Sequence, residues 1–366
     1  MKAVQLLLAS VLLSIGLTGN AQDIFKGYEA LFTPPRSYTV LRTSERINLD
    51  GKSAEAAWSK VPWSESFVDI EGEGRATPRH KTRFKLLWDT SALYVYVELE
   101  ETHIWASLHQ RDTIIYHDND IEIFIDPDGD TYEYFEIELN AHNTVFDLLM
   151  PRPYRNGGKA KIKWDAVGFN SAVQVLGTLN NPADKDAKWA VEMAIPFRSL
   201  GTGENTRMPV AGDWWRINLS RVQWDLDVVN DQYVKRKNAN TGRPLPEHNW
   251  VWSPQGVVNM HYPERWGYTF FSAKLAGSTL TPVAIPPTED LKKYLWLVYY
   301  KQQAFRRKER RYAASLAELE LPATVKSSGV QANLGLTATN DEFQATISTQ
   351  QGRWKINESG MIIKEI

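Results

Sequence analysis

The chain has 366 residues, more than one ordinary domain of about 150 needs, so it is read as two or three units. Its 42 Lys and Arg against 44 Asp and Glu leave a net charge of −2, which removes the broad basic footprint of a nucleic-acid binder. A complete absence of Cys excludes disulfides, thiolate zinc sites, iron–sulfur clusters, a cysteine nucleophile and a lipidated cysteine anchor together. Hydrophobic residues at 43% mark a globular chain, and Trp (14) outnumbers Phe (13) beside 15 Tyr. Phe fills cores without needing a polar partner, so an excess of Trp and Tyr points to rings placed at a surface or cleft for recognition.

In chain order, Lys2, the apolar run Val4 to Leu17 and the small residues Gly19 and Ala21 read as a secretory signal peptide over residues 1–21, cleaved after Ala21. The apolar run is too short for a membrane span, and no later stretch is long enough, so the mature chain carries no transmembrane segment and is expected in the periplasm or outside the cell. From Tyr38 the sequence reads as short strands punctuated by turns. Phe84 to Trp88 and Leu93 to Leu99 flank Asp89-Thr90-Ser91 as one hairpin. A second joins Asp120–Asp126 to Tyr132–Asn140 through Pro127-Asp128-Gly129-Asp130. Ala172–Leu176, Trp189–Ile195, Trp215–Val222 and Tyr268–Ala273 are further strands, and the spacing predicts an antiparallel β-sandwich over residues 22–280.

Thr281 to Pro287 reads as a stiff linker. Beyond it Thr288 suits an N-cap, with Glu289 and Asp290 favouring the positive end of a helix dipole. Leu291, Leu295, Val298, Gln302, Phe305 and Tyr312 then keep a mostly helical spacing to about Leu316. Short β runs follow at Phe343–Ile347 and Arg353–Ile356. Residues 288–366 therefore form a small α+β domain with a long N-terminal helix, set off from the sandwich.

Chemistry-bearing residues concentrate on the second hairpin. On a strand Glu122 projects opposite Ile121 and Ile123, and Glu136 and Glu138 share a face by the same period of two. Pairing of the two strands gathers these acids, which suit vicinal sugar diols because a carboxylate accepts two hydroxyl hydrogens. The run Asp126-Pro127-Asp128-Gly129-Asp130 places oxygens at alternate positions, but Gly129 stands fourth rather than sixth for a calcium loop, and an ordinary hairpin turn is the expectation. The seven His show no HxxxH or HxH pair, and no GxSxG elbow or phosphate-binding loop is present.

INLDGKSAEAAW (Ile47 to Trp58), RFKLLWDTSALYVYVELEE (Arg83 to Glu101) and NDIEIFIDPDGDTYEYFEIELN (Asn119 to Asn140) resemble, in order, the opening strands of carbohydrate-binding module family 9 and related DOMON sandwiches. WAVEMAIPFRSL (Trp189 to Leu200), WWRINLSRVQW (Trp214 to Trp224) and WGYTFFS (Trp266 to Ser272) resemble its later strands. The resemblance implies a β-sandwich that holds an oligo- or polysaccharide between aromatic rings, without an organic cofactor, and several members carry structural calcium. It places Tyr116 at a stacking position, Glu122 at the hydroxyl-binding acid of its strand, and Glu136 and Glu138 where the family has Arg and Asn. The second stacking Trp maps near Met260-His261-Tyr262, leaving Tyr262, Trp252 or Trp266 to close the clamp. Asn140, Arg221 and His261 complete the expected hydrogen-bonding set. The expected role is glycan capture or utilisation. Two other readings stay open: a glycoside-processing enzyme using Glu122 with Glu136 or Glu138 as acid and base, and a haem-binding sandwich with Met260 and His261 as ligands.

Overall fold

Alternation of apolar and polar residues sets the strands, and their pairing builds two layers around one core. The computed structural model describes residues 23–202, 205–280 and 283–365. The signal-peptide segment 1–21 lies outside the described residues. The first strands are β1 (Ser37–Arg42), β2 (Val68–Asp69), β3 (Thr82–Trp88) and β4 (Ala92–Glu100), with a short helix α1 (Ala56–Ser59) after β1. Then come β5 (Asp120–Asp126), β6 (Tyr134–Asn140), β7 (Val145–Met150), β8 (Asn170–Leu176) and β9 (Lys188–Pro196). A small hairpin of β10 (Gly201–Thr202) and β11 (Asn205–Thr206) precedes the long β12 (Trp214–Gln223). A second hairpin, β13 (Leu226–Val229) and β14 (Gln232–Lys235), is followed by β15 (His248–Val251) and β16 (Gly267–Leu275).

The two hairpins read from the sequence are present. In the first, Trp88 opposes Leu93, and Asp89 Oδ1 accepts the backbone N–H groups of Ser91 and Ala92 to close the turn. In the second, Glu122 opposes Glu138 and Phe124 opposes Glu136. The main sheet runs β7-β6-β5-β12-β16-β1-β3-β4-β9-β8 and branches at β12. Trp214–Ile217 of β12 pair with β16, whereas Ser220–Gln223 pair with β15, which carries β2. This branch lets the two arms diverge and close as a β-sandwich. Apart from β1, which runs parallel to β3 and β16, the strand pairs are antiparallel.

Ile121, Ile123 and Ile125 of β5 and Ile217 and Leu219 of β12 meet Val95 and Val97 of β4 and Val191 of β9 in the shared core. Each such buried side chain contributes about 1.5–3 kcal/mol. The other face of β5, β6 and β7 is not a solvated surface. Phe124, Tyr134, Phe146 and Leu148 on that face pack with Ile115, Met260 and Trp266 from covering loops as a second, smaller core. Burial on both faces is why the acids of these strands lie inside the protein.

The C-terminal unit consists of α2 (Pro287–Glu309) and a meander of β17 (Thr324–Ser327), β18 (Val330–Ala338), β19 (Phe343–Thr349), β20 (Gly352–Asn357) and β21 (Ile362–Glu365). The helix begins one residue before the expected cap, with Pro287 at its first position, where a missing N–H costs nothing. It ends at Glu309 rather than near Leu316, because Arg310 turns into the left-handed region at φ 60° and its N–H bonds to the Arg306 carbonyl. Ile24, Phe25, Tyr28, Leu31 and Phe32, ahead of β1, pack on this unit's core. Glu264 is the buried tie between the units: it accepts from Tyr300 of α2 and pairs with Arg155 at 2.9 Å. Among the described residues no helix is long and apolar enough to cross a membrane.

Candidate functional site

Three segments rise over the outer face of β5–β6–β7: residues 108–118, residues 151–163, and the stretch from Pro254 to Trp266. Between them lies an open cleft of about 520 Å³. Its floor is acidic. Glu122 of β5 and Glu136 and Glu138 of β6 line it, with Asp112 and Glu247 also on its walls. One oxygen each of Asp120, Glu122 and Glu138 falls within 4.8 Å of the other two.

Burial shapes the electrostatics here. Desolvation raises the carboxyl groups of Asp120, Glu122 and Glu136 well above the ordinary carboxylate range, and their mutual repulsion adds to it. Glu138 is pushed up to about 7 by the same desolvation, held back by hydrogen bonds from Glu136 and from the backbone of Tyr116 and Ile115. His261 is driven the other way, to about 4, by burial first and by the Arg155 guanidinium second. It is therefore neutral at pH 7, hydrogen-bonded through Nδ1 to the Tyr134 hydroxyl at 2.9 Å.

Aromatic rings stand above this floor. Tyr116 is 38% exposed and Tyr154 46% exposed, and both line the cleft. The Tyr116 backbone is clamped from two sides. Glu138 Oε2 accepts the N–H groups of Ile115 and Tyr116, each at 3.0 Å, while the Trp224 indole donates to the Tyr116 carbonyl at 2.9 Å. Tyr154 sits in a one-turn helix, Tyr154–Asn156, and meets the His261 ring edge-on at 4.5 Å. Ile114, Ile162 and Val258 add exposed apolar wall.

Five of the expected residues, Tyr116, Glu122, Glu136, Glu138 and His261, thus meet in one cleft. Four do not. Arg221 is on the core-facing side of β12, opposite Ile121, and its guanidinium is spent on Glu101 at 2.9 Å, Gln223 and Thr82. Asn140 closes the β6–β7 turn, donating to the Leu108 carbonyl and Asp118 and accepting from His142 and Thr144. Trp252 is fully buried, edge-on to Phe84 and donating to Glu65. Tyr262 faces the C-terminal unit, its ring under the Arg155 guanidinium at 4.1 Å. Trp266, also considered for the clamp, is fully buried and donates to the Met260 carbonyl. Tyr154 was not singled out, although its setting after Pro151-Arg152-Pro153 is the turn chemistry that lifts a ring off a sheet.

The run Asp126 to Asp130, expected as an ordinary hairpin turn, leads from the end of β5 toward β6. Asp126, Asp128 and Asp130 converge, but Asp126 accepts the N–H groups of Gly129 and Thr131, and Asp128 pairs with Arg207 at 2.6 Å. Asp130 accepts the Tyr132 N–H, so these acids are engaged by the hairpin turn and by Arg207. At the residues of the haem reading, Met260 Sδ accepts from Gln255 at 3.3 Å, and His261 is bonded through Nδ1 to Tyr134 with its Nε2 3.9 Å from Glu136.

The described residues thus form a β-sandwich with an aromatic-walled, acid-floored cleft on one face. Residues 49–212 match the family described as carbohydrate family 9 binding domain-like, so over that segment the resemblance carried by the motifs is borne out. The match contains Asp112, Glu122, Glu136, Glu138 and both exposed tyrosines of the cleft, and stops short of Glu247 and His261. Solved structures similar to this chain include a carbohydrate-binding module of family 9 from Caldicellulosiruptor kristjanssonii, in complex with cellotriose and with glucose. Each is 16% identical, covers 68% of this chain and 100% of that one, and gives a TM-score of 0.39. A protein of Bacteroides uniformis is 14% identical over 65% of this chain and 100% of its own, with a TM-score of 0.46. No curated protein matches the chain.

Proposed function

We propose that the protein is an exported saccharide-binding module in which the Tyr116 and Tyr154 rings cover the faces of a sugar ring and the Glu122, Glu136 and Glu138 carboxyl groups bond its hydroxyls. The observation that carries this reading is the convergence of exposed tyrosines and buried acids on one cleft of about 520 Å³. A sugar ring offers an apolar C–H face to an aromatic ring and a rim of hydroxyls to polar groups, so the two kinds of residue complement its two surfaces. The family match over residues 49–212 supports the same reading, and export rests on the N-terminal sequence pattern.

Binding without turnover is the better reading of the acids. A glycosidase pair needs one carboxyl kept protonated and its partner ionised. Here desolvation raises all four acids, Asp120, Glu122, Glu136 and Glu138, Glu138 least, and no Lys or Arg lines the cleft to keep one of them ionised as the base or nucleophile.

Calorimetric titration of a saccharide panel into the wild type, Tyr116→Ala and Tyr154→Ala tests the proposal. Each substitution removes an aromatic face and should weaken binding by about tenfold, as about 1–3 kcal/mol of anchor contact implies. Melting temperatures should barely change, since both rings are substantially exposed. Unchanged affinity in both variants would remove this cleft as the binding surface.

A further inference from the structure

The cleft gathers more carboxyl groups than a neutral sugar answers, with no cation among its lining residues to pair with them. Glu122, Glu136 and Glu138 on the floor and Asp112 and Glu247 on the walls face it, while no Lys or Arg is among its lining residues. Its one basic side chain, His261, is buried against Arg155 and hydrogen-bonded to Tyr134, and its Nε2 stops 3.9 Å from Glu136. Glu136 is only 4% exposed, lines the cleft, and has an Oε2 without a hydrogen-bond partner; Asp120 Oδ2, beneath the floor, has none either. A buried carboxyl oxygen without a partner is costly, and burial and mutual repulsion hold these acids protonated in the empty cleft; a ligand that brings donors and positive charge removes both costs by ionising the group it meets.

We infer that the cleft is built for a cationic saccharide, an amino sugar with a free ammonium group seated over Glu136 and its neighbours Glu122 and Glu138. An ammonium offers three donors, no acceptor and a positive charge that favours ionisation of the carboxyl groups it meets, whereas a hydroxyl brings acceptor lone pairs and no charge. A bare divalent ion would explain the converging oxygens of Asp120, Glu122 and Glu138, but not the apolar and aromatic wall of Tyr116, Tyr154, Ile114 and Val258. A ring with an amine needs both. The inference rests on the saccharide reading above and narrows its ligand class.

The test is calorimetric titration of the mature full-length chain with a glucosamine trimer, its N-acetylated counterpart and cellotriose, at about pH 6, where a sugar amine is protonated. The glucosamine trimer should bind about tenfold or more tightly than either neutral trimer, the margin of charge-assisted over neutral hydrogen bonds. Glu136→Gln, which keeps the shape, should bring the three to near parity without lowering the melting temperature, and Glu122→Gln should narrow the gap in the same direction. If cellotriose or the N-acetylated trimer binds as well as the amine, the cationic reading is overturned while the saccharide reading stands. If no saccharide binds, both fall. Calcium titrated alone, binding and then blocking the glucosamine trimer at micromolar levels, would assign the floor to a metal and overturn the inference.

Discussion

Glu138 shows how one side chain serves two ends. Its Oε2 caps the two N–H groups that fix the Tyr116 backbone, so the ring presented to the cleft is positioned by the same carboxyl that forms the floor. Burial carries an electrostatic cost with a definite sign. A carboxyl raised from its ordinary 4.5 to about 7 binds its proton more tightly in the folded chain than in the unfolded one. Its contribution is therefore fully present below about pH 4.5 and is lost as pH rises through about 7. Across that window the wild type should lose on the order of 2–3 kcal/mol relative to Glu138→Gln, which does not titrate. His261, depressed to about 4, contributes in the opposite direction as pH falls, but it is common to both proteins and cancels in the difference. Thermal melts of the pair at pH 4.5, 6 and 7.5 check this. A difference in melting temperature that stays flat with pH would show that Glu138 is ionised in the free protein.

At the scale of the strand, β12 explains both what the sequence disclosed and what it hid. The period of two places Ser220 beside Glu122 and Arg221 beside Ile121. Arg221 therefore shares the core face with Ile217 and Leu219, and its assignment to the sugar site overlooked an alternation readable in WWRINLSRVQW. Its buried partner is Glu101. Arg221→Ala would leave that carboxylate uncompensated and should cost about 3–5 kcal/mol of stability, while saccharide affinity per folded molecule stays unchanged. Urea unfolding and titration of the same variant separate the two roles, and lost affinity with intact stability would return Arg221 to the binding set. The β5–β6 hairpin is the reverse case. Its turn residues and the Ile121, Ile123, Ile125 alternation were enough to put Glu122, Glu136 and Glu138 on paired strands, and the structure sets Glu122 against Glu138. That its outer face is roofed was not legible, because strand periodicity carries no trace of the loops around Tyr154 and Met260. Trp252 and Trp266 were misplaced for a related reason: a Trp after a strand is equally suited to a clamp or to a core, and only tertiary packing distinguishes them.

At the scale of the molecule, the proline-rich boundary before α2 marks a change of architecture, yet the unit beyond it is docked. Tyr300, Arg155 and Glu264 form a buried polar tie, and residues 24–32 from ahead of β1 pack on the C-terminal core. A chain ending at Leu280 would leave Glu264 with one partner fewer and expose Phe25, Phe32 and Tyr262. It should melt several degrees below the full chain and show increased exposure of apolar surface to a reporter dye. An unchanged melt would make the C-terminal unit an independent passenger. The docked unit approaches the cleft through neighbouring residues, since Arg155 and Tyr262 at the interface adjoin Tyr154 and His261 in the cleft. The central claim, that this cleft is where the protein binds its ligand, is met most directly by a crystal structure of the full chain grown with whichever saccharide binds most tightly in solution. The predicted result is a sugar ring between Tyr116 and Tyr154 with its polar groups on Glu122, Glu136 and Glu138; sugar density at another surface, with this cleft holding only water, would contradict it.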